Sequence, residues 1–285
     1  MLFLSVSHTA NTSLFGKVNI MNILAVDIGN SNIKFGLFID AERQPSLSVS
    51  GGDSQAVSDA LRQCWDKLPV AKRSTEGRKE GVIVFSSVKP EWTESFRQLC
   101  REQIDEKPLE VGLGKDVDLP IKLNTEFPAD TGVDRVMAAA AAYVVAQGPV
   151  VVADIGTAVT VDAVDGEGNF LGGAIAPGPE LCARALSSET AKLPEVQVQQ
   201  PALPVGANTE QAVNNGVFYM AAGFLEYSVR KFAEELGSWP QTVVTGASAG
   251  LFKDECEFVD DFVEDLVLSG IVLSYKKKIA DTPDS

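Results

Sequence analysis

Three short stretches of this chain carry side chains whose types and spacing suit chemistry. The first is Asp27-Ile28-Gly29-Asn30-Ser31-Asn32-Ile33-Lys34, preceded by the apolar run Ile23 to Val26 and continued by a second β-rich run to Phe38. The second, Asp154-Ile155-Gly156-Thr157-Ala158, follows Val150 to Ala153 and repeats the order: apolar run, Asp-Ile-Gly, short polar residue, β-branched run. The third is Asp134-Arg135, which closes the stretch from Asp130 through Thr131, Gly132 and Val133. A carboxylate at the mouth of a buried sheet is costly unless something pairs with it. A Mg²⁺–phosphate group is one such partner. Gly29 supplies backbone freedom, and Asn30 and Ser31 supply short polar groups.

These stretches need elements to hold them. The first reads as a hairpin with strand 22–26, turn 27–30 and strand 31–38, and the second as a hairpin over 149–164. Asp-x-Gly alone is common in ordinary hairpins, so each copy taken singly remains open to that reading. Two copies half a chain apart imply duplicated lobes facing each other across a cleft. Asp134 opens a helix expected over 132–147, with continuous alanine from Ala138 to Ala142. There Thr131 as N-cap and Asp134 at the third position would make a capping-box variant. Arg135 suits a bidentate grip on a carboxylate; otherwise it forms a salt bridge to Asp130 or Asp134. Lys34 either reaches phosphates or is an ordinary exposed strand lysine.

Along the rest of the chain, strands are expected at 45–50, 81–88, 109–112, 170–175 and 242–245. Helices are expected at 54–68, 91–105, from Pro179 to about Lys192, at 209–237 and at 266–278. Residues 70–80 read as a loop, and 113–128 as an extended crossing between lobes. Val57, Leu61 and Trp65 share one helix face, and the basic end of the last helix suits its dipole. Strands interleave with helices throughout, which makes the class α/β.

Composition narrows the function classes. The chain has 285 residues, 45% of them hydrophobic, enough for a large core and two lobes. Net charge is −15 with no basic run, a poor match to nucleic acid or an anionic membrane. Cys64, Cys100, Cys182 and Cys256 are scattered and His8 is the single histidine, which argues against zinc and disulfide frameworks and for reduced, cytosolic thiols. Residues 1–20 read as an extension without the basic and apolar regions of a signal peptide, and Met21 is a candidate start. No apolar run approaches the length of a membrane span. Residues 279–285 read as a frayed tail.

The paired Asp-x-Gly hairpins resemble the actin/Hsp70/sugar-kinase superfamily, whose two phosphate loops grip the nucleotide. Within it, Asp27 to Lys34, Gly132-Val133-Asp134-Arg135, Asp154 to Ala158, Gly172 to Gly178 and Asn208-Thr209 stand in the order of type III pantothenate kinase, over about 21–275. The resemblance implies duplicated ribonuclease-H-like lobes, 21–130 and 131–278, around a central nucleotide cleft. It implies ATP-dependent phosphorylation of pantothenate to 4′-phosphopantothenate, the first step of coenzyme A biosynthesis. Asp27, Ile28, Gly29, Asn30, Ser31, Asn32, Ile33 and Lys34 would serve the phosphates, with Asp27 on Mg²⁺, through water. Asp154 would bind a monovalent cation, potassium or ammonium, and Thr157 would touch ATP. Asp134 would be the catalytic base: in a loose transition state proton removal is late, so orienting the hydroxyl is enough. Gly132, Val133, Asp134, Arg135 and Thr209 would contact pantothenate, although Thr209 also suits an N-cap.

The family is dimeric, with its pantothenate site near the subunit interface, and cytoplasmic. Gly172 to Gly178 is either a close backbone approach to ligand or a structural turn. Gly246-Ala-Ser-Ala-Gly250 has a place under the adenosine, and it lacks the spacing and lysine of a Walker loop. The chain departs from the family at Val133, usually alanine, and at Thr125, usually a tyrosine touching pantothenate. The alternatives are therefore a kinase of another small alcohol and a nucleotide-binding regulator without kinase activity.

Overall fold

The computed structural model describes residues 22–40, 42–71 and 77–282; the expectations for residues 1–20, Met21 and 283–285 lie outside them. In the first half, β1 (Ile23–Ile28), β2 (Asn32–Ile39), β3 (Glu42–Arg43) and β4 (Leu47–Ser50) precede α1 (Ser54–Asp66). Then follow β5 (Val82–Ser87), α2 (Pro90–Ile104) and β6 (Leu109–Glu110). A short strand β7 (Lys122–Leu123) and a 3₁₀ turn (Pro128–Asp130) lead into α3 (Val133–Ala146). The second half holds β8 (Val150–Ile155), β9 (Ala158–Val164), β10 (Asn169–Pro177), α4 (Pro179–Glu189) and α5 (Thr209–Leu236). It ends with β11 (Gln241–Thr245), β12 (Asp261–Phe262) and α6 (Leu266–Asp281).

Two sheets result, ordered β3-β2-β1-β5-β6 with β4 also on β2, and β12-β11-β8-β9-β10-β7. Their centres match. β1 pairs antiparallel with β2 and parallel with β5, and β8 pairs antiparallel with β9 and parallel with β11. The central strands β1 and β8 are buried along most of their length, which is why they read as near-continuous apolar runs.

Three cores follow from this layering. Between the sheets lie α3 and α6, where Met137, Ala139, Leu268 and Ile271 pack with Ala25 and Val84 of the first sheet and Val150 and Val152 of the second. The alanine run lets the helices approach closely: a Cβ on Gly270 would strike the Met137 backbone. The outer face of the first sheet is covered by α1, which buries Val57, Leu61 and Trp65 as their spacing predicts, and by α2 through Phe96. The outer face of the second sheet is covered by α5, through Val217, Phe218 and Leu225.

Several boundaries differ from expectation. Asp27 lies within β1, opposite Lys34, and the turn is Gly29 to Ser31, closed by the Gly29 amide on the Asn32 carbonyl at 3.0 Å. Gly29 is outside the left-handed region, so the turn itself does not demand glycine's freedom. β4 starts at Leu47 rather than 45, past Pro45, which has no amide to give. β6 stops at Glu110, because the chain turns back from Gly112 to bring Val117 against Val111. α4 ends at Glu189, where the Thr190 hydroxyl bonds the Leu186 carbonyl at 2.7 Å. α6 runs to Asp281, so residues 279–281 are helical rather than tail. The crossing over 113–128 includes β7, which joins the second sheet beside β10.

Candidate active site

The two hairpins point their turns at each other. The Ser31 and Thr157 hydroxyl oxygens lie 3.2 Å apart, joining sequence-distant turns from the two sheets. Beneath them is a cleft of about 450 Å³. It brings together Asp27, Gly29, Asn30, Ser31, Asn32, Lys34, Asp134, Arg135, Asp154 and Thr157. Ile28 and Ile33 do not present side chains to it; both are buried in the core of the first sheet, which leaves only their backbone for a ligand. Gly132 and Val133 flank Asp134 outside the lining, and Val133 packs against the central core.

Asp134 is not a capping-box residue. Gly132 occupies the N-cap position of α3 without a side-chain cap, and the Thr131 hydroxyl lies 3.3 Å from that of Thr125. The Asp134 Oδ1 atom accepts from the Arg135 amide at 2.9 Å, and its carboxylate lines the cleft. Arg135 does not pair with Asp130 or Asp134. Its Nε donates to both carboxylate oxygens of Asp162, at 3.0 and 3.1 Å, and its Nη2 donates to Oδ1, while the guanidinium lies 5.7 Å over the Phe170 ring. Asp162 was missed in the sequence. Its signal is strand alternation, which puts it on the same face of β9 as Thr160, and both line the cleft.

Lys34 is neither free nor fully exposed: its Nζ lies 2.9 Å from Asp265 Oδ1.

Asp27, Asp134, Asp154, Asp162, Glu180 and Asp265 line this small space, and burial raises the first four. Burial, then the charge of Asp134 and, more weakly, of Asp154, push Asp27 up to about 7, against the Ser86 hydroxyl that donates to it at 3.1 Å and the charge of Lys34. Burial, then Asp134, take Asp154 up to about 6, against Lys34. Burial also raises Asp134 and Asp162, with Arg135 opposing in both cases. Among the described residues, Lys34, Arg135 and Arg184 are the cationic side chains on the lining, outnumbered by its carboxylates.

The glycines divide by role. Gly178 and Gly173 are packing positions: a Cβ on Gly178 would strike the Gly156 and Thr157 carbonyls, and one on Gly173 the Val161 carbonyl. Gly172 to Pro177 belong to strand β10 rather than to a turn, and Gly178, at the N-cap of α4, donates its amide to the Thr157 carbonyl at 2.9 Å and so braces the second hairpin. Gly246, at φ 106°, faces the cleft, and a Cβ there would fall against the Asp154 carboxylate and the Ile155 backbone.

Thr209 is elsewhere. It is exposed, Asn208 is the N-cap of α5 and accepts from the Gln211 amide at 2.9 Å, and Thr209 lines an apolar groove of about 740 Å³ between α4 and α5. That groove holds none of the aspartates that line the cleft.

Two sheets of matching order, with facing Asp-Ile-Gly hairpins over a charged cleft, define a duplicated two-sheet α/β fold. Solved structures share this fold. A conserved protein of the Baf family of transcriptional activators from Campylobacter jejuni superposes with a TM-score of 0.55 at 20% identity, covering 90% of this chain and 99% of its own. Component A of (R)-2-hydroxyglutaryl-CoA dehydratase from Acidaminococcus fermentans gives 0.54 at 13% identity, covering 92% and 100%. The family model for type III pantothenate kinase matches residues 23–231. The Rhodospirillum rubrum type III pantothenate kinase is 34% identical over 91% of this chain and 100% of its own length. That of Moorella thermoacetica is 33% identical over 90% and 99%. The chain belongs to the type III pantothenate kinase family.

Proposed function

We propose a division of labour among the cleft residues for the reaction of this family, in which ATP phosphorylates pantothenate to 4′-phosphopantothenate at the start of coenzyme A biosynthesis. Asp134 orients the primary hydroxyl and takes its proton late. The hydroxyl oxygen forms the new bond to the γ-phosphorus as the bond from phosphorus to the bridging β–γ oxygen breaks, and ADP departs with that electron pair. The Gly29 and Gly156 amides close their own turns, on the Asn32 and Ala158 carbonyls, so the amides of Asn30 and Ser31 on one side and of Thr157 on the other receive the polyphosphate. Lys34 and Thr157 add contacts from the same two hairpins. Arg135, fastened to Asp162 through Nε and Nη2, keeps Nη1 for the carboxylate of pantothenate.

The donor set suits cations. Asp27 offers hard carboxylate oxygens, and its raised pKa marks a buried charge that a cation would relieve. Among the described residues no three His, Cys, Asp or Glu side chains gather for one ion, which suits a Mg²⁺ ion that keeps water and phosphate ligands. Asp154, a second buried carboxylate with its pKa raised, suits a monovalent cation, potassium or ammonium. Bound there, the two ions would supply charge compensation that this acidic chain lacks.

This reading places lobe boundaries near residue 130 and the protein in the cytoplasm. It also makes the protein a homodimer, because Thr209 does not reach the cleft of its own chain. A second copy seated on the α4–α5 groove would bring a Thr209 towards pantothenate.

The observation that carries the proposal is the 3.2 Å approach of Ser31 and Thr157 above a cleft that Asp134 shares. The test is ADP release with ATP and pantothenate, against a panel of sugars and small alcohols, for the wild type and Asp134→Asn across a dilution series. Asp134→Asn should bind ATP yet lose about 10²–10⁴-fold in turnover. Near wild-type turnover would remove Asp134 as base. Turnover only of another alcohol would overturn the substrate, and full activity in a dilute monomer would remove the dimer.

A further inference from the structure

Asp265 lines the cleft but has no part in the chemistry assigned above. It immediately precedes α6, near the end of the chain, yet first-sheet side chains hold its carboxylate. Lys34 Nζ lies at 2.9 Å, the Ser46 hydroxyl donates at 2.7 Å and Arg43 Nη1 lies at 3.5 Å. Arg43 also donates to the Glu264 carbonyl at 2.9 Å. The Asp265 side chain is only 7% exposed, and the backbone is left-handed at φ 59°. Helix chemistry does not explain it: Asp265 occupies the N-cap position of α6 without a side-chain capping bond. The carboxylate is spent on the first sheet.

Lys34 is the group this arrangement serves. Its charge reaches both Asp27 and Asp154, lowering the pKa of each against burial. A lysine ammonium sits on a flexible four-carbon stem. Left loose among buried carboxylates, it would settle on one of them and neutralise a group that a cation is to use.

We propose that Asp265 is a positioning residue for Lys34, holding its ammonium on the cleft wall so that it meets the nucleotide's phosphates at a fixed place. The inference rests on the reading of Lys34 as a phosphate contact. It also ties that contact to the seating of α6, whose Leu268 fills the space over Gly36 of β2.

A double-mutant cycle tests it. Asparagine and glycine both accept a left-handed backbone, so Asp265→Asn and Asp265→Gly should fold, which thermal unfolding checks. Each should lower kcat/KM for ATP about tenfold while leaving KM for pantothenate unchanged. In the Lys34→Met background, replacing Asp265 should cost nothing more, because the residue it positions is gone. Losses that multiply across the cycle would show Asp265 acting independently of Lys34 and overturn the inference alone. Wild-type kcat/KM for ATP in both Asp265 variants would overturn it as well. Wild-type kinetics in Lys34→Met would take down the phosphate role of Lys34 and this inference together.

Discussion

The two Asp-Ile-Gly hairpins hold equivalent places in their sheets and differ in what stands beside the aspartate. Asp27 is in register with Ser86 of β5, whose hydroxyl donates to it at 3.1 Å. Asp154 is in register with Thr245 of β11, and the next residue is Gly246, whose backbone packs so closely that a Cβ there would strike the carboxylate. One aspartate is held by a hydroxyl of its flanking strand and the other is packed against a glycine backbone. Their acidities differ too, about 7 against about 6, although burial and then Asp134 raise both. Duplication supplies the frame twice, and the flanking parallel strand decides what each carboxylate does. On the assignment proposed above, Asp27 serves a hydrated divalent ion and Asp154 a monovalent cation.

The largest effects should come from removing each aspartate in turn. Asp27→Ala and Asp154→Ala are each expected to lose roughly 10²–10³-fold in turnover, the scale for one preorganised electrostatic contributor. They should fail differently. Asp154→Ala should lose the gain in rate that potassium gives over sodium, whereas Asp27→Ala should keep that gain and need more Mg²⁺ for half-maximal activity. Kinetic titrations with both ions separate the two. If Asp27→Ala loses the potassium response and Asp154→Ala keeps it, the roles are exchanged.

A smaller effect follows from the acidities. The folded-state pKa of Asp27, about 7, lies above its ordinary value of 3.8, so the folded protein favours the protonated carboxyl. The stability this contributes is full below 3.8 and is lost as pH rises through about 7. Asp27→Asn has no charge to bury. Without nucleotide or Mg²⁺, its stability relative to wild type should climb from about pH 4 and level off above about pH 7, reaching on the order of 4 kcal/mol at most. Asp154→Asn should gain less and level off earlier, since its pKa is about 6. Urea unfolding at several pH values measures both, and an Asp27→Asn gain that is flat with pH would contradict the burial argument.

Much of this contrast was legible in the chain and some was not. Asp27 and Asp154 stand out because an acid ends an otherwise apolar run, a local anomaly needing no partner to be noticed. Asp134 was found with the wrong local geometry, because Thr131 is an equally good cap by residue type and only the backbone shows that Gly132 takes the position. Asp162 hides in an ordinary alternating strand, since a polar residue at every second place is what a half-exposed strand looks like. Asp265 could not be read at all: its partners Lys34, Arg43 and Ser46 come from the other end of the chain, and long-range ion pairs leave no periodicity. The fold was legible for the related reason that the duplicated pattern is local in each copy, whereas two-residue strands such as β3 and β12 carry too few residues to show a period.

The finest test of the comparison lies at the turn glycines. Neither Gly29 nor Gly156 is in the left-handed region. A Cβ on Gly156 would meet only ordinary contacts, at 3.7 Å to the Asp154 carboxylate and 3.8 Å to the Ala158 carbonyl. A Cβ on Gly29 would press the Asn32 carbonyl at 3.2 Å. The protein without ligand therefore has little reason to require glycine at either place. Alanine removes freedom from the unfolded chain, so Gly156→Ala should be neutral or stabilising by about 0.5 kcal/mol, and Gly29→Ala should lie within about 1 kcal/mol of wild type. Polyphosphate binding is another matter, because a methyl group on either turn would stand between the backbone amides and the phosphates. Both variants should bind Mg²⁺–ATP roughly tenfold more weakly, a loss of about 1.4 kcal/mol. Calorimetric titration and thermal unfolding on the same samples give the two numbers. Weaker binding at unchanged stability would locate the need for glycine in the ligand rather than in the fold, and tight binding by both variants would refute the two-sided clamp.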